Sequence, residues 1–269
     1  MNLWSDFLTN EQRVIHKCVH YFPVYERHFG RFRNLSVTML EIGCGKGGSL
    51  EMWRRFLGPF ASIVGIDIRP ECKAFEGGTI AVRIGDQGNS SFLAAVNEEF
   101  GPFDIVLDDG SHQSKDMVST FKDLYPKLQR SGVYMVEDMQ TCYWPNFGGG
   151  HKAPGSFMEF CKDLLDELNA DHTRGAVPST EFHQTTTSIH FYDGAAVFEK
   201  GRHTRNFHMQ IGGASAIQKQ RTQREKRTIV RQEAQQLASD QGREWKDLTL
   251  EEQRAYIGQV LASRGKDPG

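Results

Sequence analysis

Of the 269 residues, 38% are hydrophobic and 25% charged, with a net charge of −2; that supplies a real core and excludes wholesale disorder. No run approaches the ~18 apolar residues of a membrane span, and the opening MNLWSDFLTNEQ has no basic-then-apolar pattern, so no secretory leader is expected. The cysteines Cys18, Cys44, Cys72, Cys142 and Cys161 are odd in number and form no Cys-x-x-Cys, which argues against a disulfide framework or zinc knuckle and for a reducing cytoplasm.

Residues 1–35 read as a helical, aromatic lead-in. Between Glu11 and Tyr21 the spacing of Val14, Ile15, Cys18 and Val19 predicts a helix, which Pro23 should break or bend. The aromatic stretch Tyr21–Phe29 is expected to pack on the core, with a flap over a site as the alternative. From Ser36 short apolar runs alternate with helical spacers. Strands are expected at Val37–Ile42, Ser62–Ile66, Ile80–Ile84, Phe103–Leu107 and Gly132–Val136, and helices at Ser49–Leu57, Ser91–Glu99 and Lys115–Leu128. This alternation predicts a parallel sheet covered on both faces. An insertion, 140–184, contains a helix opened by the capping box Ser156–Glu159. Thr185–Tyr192 and Ala195–Lys200 then flank Asp193-Gly194, a hairpin signal. The expected class is therefore α/β: a Rossmann-like doubly wound sheet of five parallel strands plus an antiparallel terminal hairpin, with an N-terminal helical flap and a C-terminal helical tail. The main domain spans 36–200 and a basic appendage 201–269, whose last helix starts at the Thr249–Glu252 box. The appendage has 13 Lys+Arg against 8 Asp+Glu, leaving 19 against 26 in residues 1–200. An acidic body is a poor nucleic-acid surface, and the basic run Lys219–Arg231 reads as a solvated helix face or subunit contact.

The first chemical constellation closes strand one: Glu41-Ile42-Gly43-Cys44-Gly45-Lys46-Gly47-Gly48. Gly43, Gly45 and Gly47 let the chain turn sharply and a ligand approach the backbone. Gly43, Gly45 and Gly48 also satisfy G-x-G-x-x-G, which admits a nicotinamide cofactor. Asp67, ending strand two, suits ribose hydroxyls, and Glu41 stands where it can reach a ligand ammonium. That points to a cofactor with an amino-acid end. The pattern resembles the class I S-adenosylmethionine-dependent methyltransferases. The resemblance implies that Glu41 orients the methionine portion, Asp67 holds the ribose, and Asp86 and Gln87 lie beside the adenine.

The second constellation is Asp108-Asp109-Gly110-Ser111-His112 at the end of strand four and Glu137-Asp138 at the end of strand five. Adjacent strand ends share one crevice, so four carboxylates are expected to converge there and to need a cation. All-oxygen ligands suit Mg²⁺, with Mn²⁺ or Ca²⁺ as alternatives. His112 at the rim is the expected general base, with a helix-capping role as its alternative; Asp108 has the alternative of facing the other side of the sheet. In Gln140–Gly150, Tyr143, Trp144 and Phe147 beside polar groups suit stacking on a sugar. Together these motifs resemble the metal-dependent sugar O-methyltransferases that act on glycosylated macrolides, over about Leu40–Lys200. The resemblance implies Asp109, Glu137 and Asp138 as metal ligands, Asp109 also beside the cofactor, and His112 as base. It implies methyl transfer from S-adenosylmethionine to a hydroxyl of a sugar or glycoside, with catechols and other diols left open. A homo-oligomer is expected, with no nucleic-acid partner and no membrane span. The alternatives are an NAD(P)-dependent oxidoreductase, a non-haem iron hydroxylase needing a second histidine near Asp109 and His112 (His151, His183 or His190), and a non-catalytic binding module.

Overall fold

A computed structural model describes residues 2–204, 208–209, 211 and 216–264, with the side chains of 216–222, at the start of the basic run, outside the described residues. Two compact units divide the chain, Met1–Asn206 and Phe207–Gly269.

The first unit is built on seven strands: β1 Thr38–Ile42, β2 Ser62–Asp67, β3 Ile80–Ile84, β4 Ile105–Asp108, β5 Val133–Val136, β6 Thr186–Tyr192 and β7 Ala195–Lys200. Their order is β3-β2-β1-β4-β5-β7-β6. The first five pair in parallel, and β7 joins antiparallel to β5 and to β6, as the Asp-Gly turn foretold. Helices α1 Leu3–Leu8, α2 Phe22–Phe29 and α3 Gly48–Leu57 come first in the chain, followed by α4 Ser90–Phe100, α5 Ser114–Leu124, α6 Phe157–Leu168 and the short α7 Glu181–Thr185. Side chains alternate across a strand, so each buried strand serves two cores. Met39, Ile105, Leu107, Val133 and Met135 face Trp53, Tyr25 and Phe29. Leu40, Val106, Tyr134 and Val136 face Val96 of α4, Phe121 of α5 and Cys161 of α6.

Three local expectations are corrected. Residues 11–18 form no helix but run irregularly to a 3-10 turn at Val19–Tyr21. Pro23 does not break a helix; it sits in the first turn of α2, where its missing N–H costs nothing. The helix expected over Lys115–Leu128 stops at Leu124 and tightens to a 3-10 turn at Tyr125–Lys127, because Pro126 cannot continue the α-helical bonding.

The second unit pairs α8 Ala216–Asp240 with α9 Leu250–Arg264 around Val230, Ala234, Leu248, Tyr256 and Val260. The capping box at its second helix is reciprocal: Glu252 N–H donates to Thr249 Oγ1 and Thr249 N–H to Glu252 Oε2. Among the described residues no helix is long and apolar enough to cross a membrane.

Candidate active site

The carboxyl ends of β1, β2, β4 and β5 open onto one cleft of about 610 Å³. Its floor is the glycine turn after β1. Gly43 takes φ +83°, and a Cβ there would lie 2.2 Å from the Asp109 carbonyl oxygen, so only glycine lets the β1 and β4 loops meet. Gly45, at φ +56°, faces open space, with the nearest atom an Arg69 guanidinium nitrogen at 4.0 Å. Gly47 is different. It caps α3 at φ +78° and packs against the Phe75 ring, outside the cleft. The backbone and the Phe75 ring alone therefore require glycine at this position.

Asp67 borders the cleft and accepts hydrogen bonds from Gly45 N–H and from the Arg69 backbone, Nε and Nη2, each at 3.0 Å. Burial alone would raise its pKa, but these bonds outweigh that and hold the carboxyl below its ordinary value. Asp86 is exposed at the rim, its carboxylate on Gly88 N–H at 2.8 Å. Gln87 also borders the cleft, but its amide is spent inside the protein: Nε2 donates to Asp108 and Oε1 accepts from Ser111 N–H.

The four strand-end carboxylates do not converge. Asp108 points to the α5 side, between Gln87 Nε2 at 3.2 Å and the Tyr134 hydroxyl at 3.3 Å, and burial pushes its pKa up to about 7. The alternation that sends Leu107 one way sends Asp108 the other. Glu41 and Glu137, two positions beyond Met39 and Met135, share the opposite face with Asp109. Glu41 is fully buried beneath the cleft, accepting from Ser49 Oγ at 2.7 Å and Trp53 Nε1 at 3.1 Å.

A residue that the sequence reading passed over joins these three. The Lys17 ammonium lies 2.7 Å from Asp109 Oδ2, 3.1 Å from Glu41 Oε1 and 3.2 Å from Glu137 Oε2, with its side chain only 2% exposed. Burial alone would lower its pKa; Asp109, Glu137 and Glu41 outweigh it and keep the lysine charged. Burial also raises the Glu137 carboxyl above the carboxylate range, against the pull of Lys17. The Tyr25 hydroxyl donates to the other oxygen of Glu137, and Tyr21 donates toward Asp138 Oδ1 at 3.1 Å. The aromatic stretch is thus both core and a brace for the acids. Nothing in a lone lysine amid Val14, Ile15, Cys18 and Val19 signals this role.

His112 and Asp138 both occupy left-handed backbone, at φ +55° and +52°, which β-carbon sterics disfavour and functional loops often hold. The Thr141 hydroxyl clamps the pair, 2.7 Å from the Asp138 carbonyl and 3.2 Å from that of His112. His112 Nε2 stands 3.9 Å from Asp109 Oδ1 and 3.7 Å from Asp138 Oδ2, and donor atoms of the three all lie within 4.8 Å of one another. His112 caps no helix, since α5 is preceded by Gln113. Tyr143 ends the 3-10 turn Met139–Tyr143, Trp144 lies between it and the turn Pro145–Phe147, and both are half exposed, at 50% and 49%; neither borders the cleft.

This donor set fits a hard divalent cation: Asp109 Oδ1 and Asp138 Oδ2 face a common space, and the pull of the acid cluster on a positive charge is shown by Lys17. The open glycine turn, with acids under and beside it, fits a nucleoside bearing an amino-acid end.

No family model matches the chain. It is 38% identical over 204 residues to a mycinamicin VI 2''-O-methyltransferase of Micromonospora griseorubida, covering 68% of this chain and 49% of that protein. It is 36% identical over 198 residues to the 8-demethyl-8-(2-methoxy-alpha-L-rhamnosyl)-tetracenomycin-C 3'-O-methyltransferase of Streptomyces olivaceus, covering 69% and 50%. The chain is a homologue of sugar O-methyltransferases. Over that homologous region it has their fold: the solved methyltransferase of the mycinamycin biosynthetic pathway, in complex with Mg and SAH, superposes with a TM-score of 0.68 at 32% identity, covering 82% of this chain and 59% of that one. This homologue spans about half the length of the curated relatives it matches. The relatives are methyltransferases, which leaves the nicotinamide oxidoreductase reading without support. An iron site on His112 is likewise unsupported, because the described groups around it bring no second histidine.

Proposed function

We propose that this chain transfers a methyl group from S-adenosylmethionine to a hydroxyl of a glycoside, with Mg²⁺ or another divalent cation. The observation that carries the reading is His112 Nε2 set between Asp109 and Asp138, within 4 Å of a carboxylate oxygen of each, beside the glycine-turn cleft.

In this reading Asp67 takes the ribose hydroxyls, Asp86 flanks the adenine, Gly43 and Gly45 leave backbone room, and Glu41 meets the methionine ammonium at the place Lys17 now fills. Asp109, Glu137 and Asp138 hold the cation. Bound there, the cofactor supplies an electrophilic methyl on a sulfonium leaving group, and the cation supplies charge that acidifies and orients an alcohol. His112 accepts the hydroxyl proton at Nε2, and Asp109 and Asp138 stabilise the imidazolium that results. Thr141 and the left-handed turns fix the imidazole, so that positioning contributes to the rate. Trp144 and Tyr143, exposed on the segment that follows Asp138 in the chain, offer ring faces to a part of the glycoside outside the cleft. The acceptors in the relatives' names, a mycinamicin and rhamnosyl tetracenomycins, support a glycosylated natural product as acceptor class. Calorimetric titration with S-adenosylmethionine and with NADH tests the reading: binding of the first and not the second is expected, and the reverse refutes it.

A further inference from the structure

A second group of metal-binding side chains lies in the same unit, away from the cleft. Asp171 follows α6 on the 3-10 turn Ala170–His172, His183 is in α7, and His203 lies three residues past β7. The Nε2 atoms of His183 and His203 stand 3.9 and 3.7 Å from Asp171 Oδ2, and the three donor atoms lie within 4.8 Å of one another. None of the three residues borders the cleft.

The unusual feature is what the imidazoles lack. His183 is 3% exposed, and its Nε2, like that of His203, is buried without a hydrogen-bond partner among the described residues. The carboxylate they face is too distant for a hydrogen bond. Native proteins rarely leave such atoms unpaired, and a role in binding an ion is a standard reason. The two distances to Asp171, 3.9 and 3.7 Å, come near what such an ion needs: donors about 2.0–2.1 Å from a tetrahedral Zn²⁺ stand roughly 3.3 Å apart.

The surroundings also prepare the ligands. His183 Nδ1 is 2.8 Å from Ser179 Oγ, which also accepts from Gln184 Nε2. With the proton on Nδ1 and donated to that hydroxyl, Nε2 presents a lone pair, the arrangement usual for a metal-bound histidine. His203 is tethered by its N–H to the Gln184 carbonyl at 3.1 Å. Asp171 is exposed, which leaves an entry path.

We propose that Asp171, His183 and His203 form a zinc-class site, two imidazoles and one carboxylate with a fourth position open, that ties the segment leaving β7 to α7 and to the end of α6. Two nitrogen donors select Zn²⁺, Co²⁺ or Ni²⁺ over Mg²⁺, so this site and the cation site proposed in the cleft differ in chemistry as well as place.

The test is Zn²⁺ calorimetry and thermal denaturation of the full chain in excess Mg²⁺, comparing wild type with His203→Ala, Asp171→Asn and, as the control for the cleft, His112→Ala. Expected is one Zn²⁺ per chain with a raised Tm in wild type and in His112→Ala. In His203→Ala and Asp171→Asn the affinity falls roughly tenfold or more and the Tm shift is lost. His203 lies outside the helices and strands, so its variant should fold even where a change at His183 would not, and Asp171→Asn provides a second check. No binding by wild type, or binding lost in His112→Ala and kept in the other two, overturns the proposal.

Discussion

Lys17 and Asp109 are 92 positions apart and form a 2.7 Å ion pair inside the protein. The lysine neutralises an acid cluster that would otherwise repel itself, and it does so from a segment with no regular structure. In the proposed enzyme, the cofactor ammonium and the divalent cation compete with it for Glu41, Asp109 and Glu137.

Lys17→Met tests that competition. Removing one partner of a buried ion pair typically costs ~3–5 kcal/mol, so the variant should unfold at much lower urea than wild type. Mg²⁺ should restore most of the loss while moving wild type little. Chemical denaturation with and without Mg²⁺ measures this; equal Mg²⁺ shifts in both proteins would show that lysine and cation do not share the acids.

Cofactor affinity should depend on Glu41 and Asp67. Loss of a charge-assisted bond costs ~1.5–3 kcal/mol, so Glu41→Gln and Asp67→Asn should each weaken S-adenosylmethionine binding about ten- to hundredfold by calorimetry. Unchanged affinity in both folded variants contradicts their roles.

Asp108 predicts a pH dependence. Its pKa rises to about 7 in the folded chain, so between about pH 4 and 7 the folded state keeps a proton that the unfolded state has released. Stability therefore falls as pH rises through that window, by up to ~1.4 kcal/mol per unit. Asp108→Asn carries no such proton and should gain on wild type steadily from pH 4 to 7, then hold level. A difference that is flat with pH, by denaturation at each value, removes the buried-acid assignment and reopens a cation role for Asp108.

The sheet was legible because β1–β5 are short apolar runs between amphipathic helices, and the Asp193-Gly194 turn announced the hairpin. The Asp109–His112 and Glu137–Asp138 ends were legible because parallel strands deliver their carboxyl ends to one edge. For Asp108 two directions stood open, and Leu107 in the Met39 and Met135 layer shows that it takes the one away from the other acids. Lys17 was not legible: its partners are distant in sequence, and an irregular segment has no period to expose them. The apolar spacing around it mimicked a helix.

In the proposed reaction His112 removes the acceptor's proton. The most direct measurement is kcat of folded His112→Ala at saturating Mg²⁺ and S-adenosylmethionine, with cofactor affinity checked by calorimetry on the same sample. Cofactor affinity should be unchanged and kcat lower by ~10²–10⁴-fold, the usual contribution of a positioned base. A kcat within about threefold of wild type, far short of that contribution, would contradict His112 as the base.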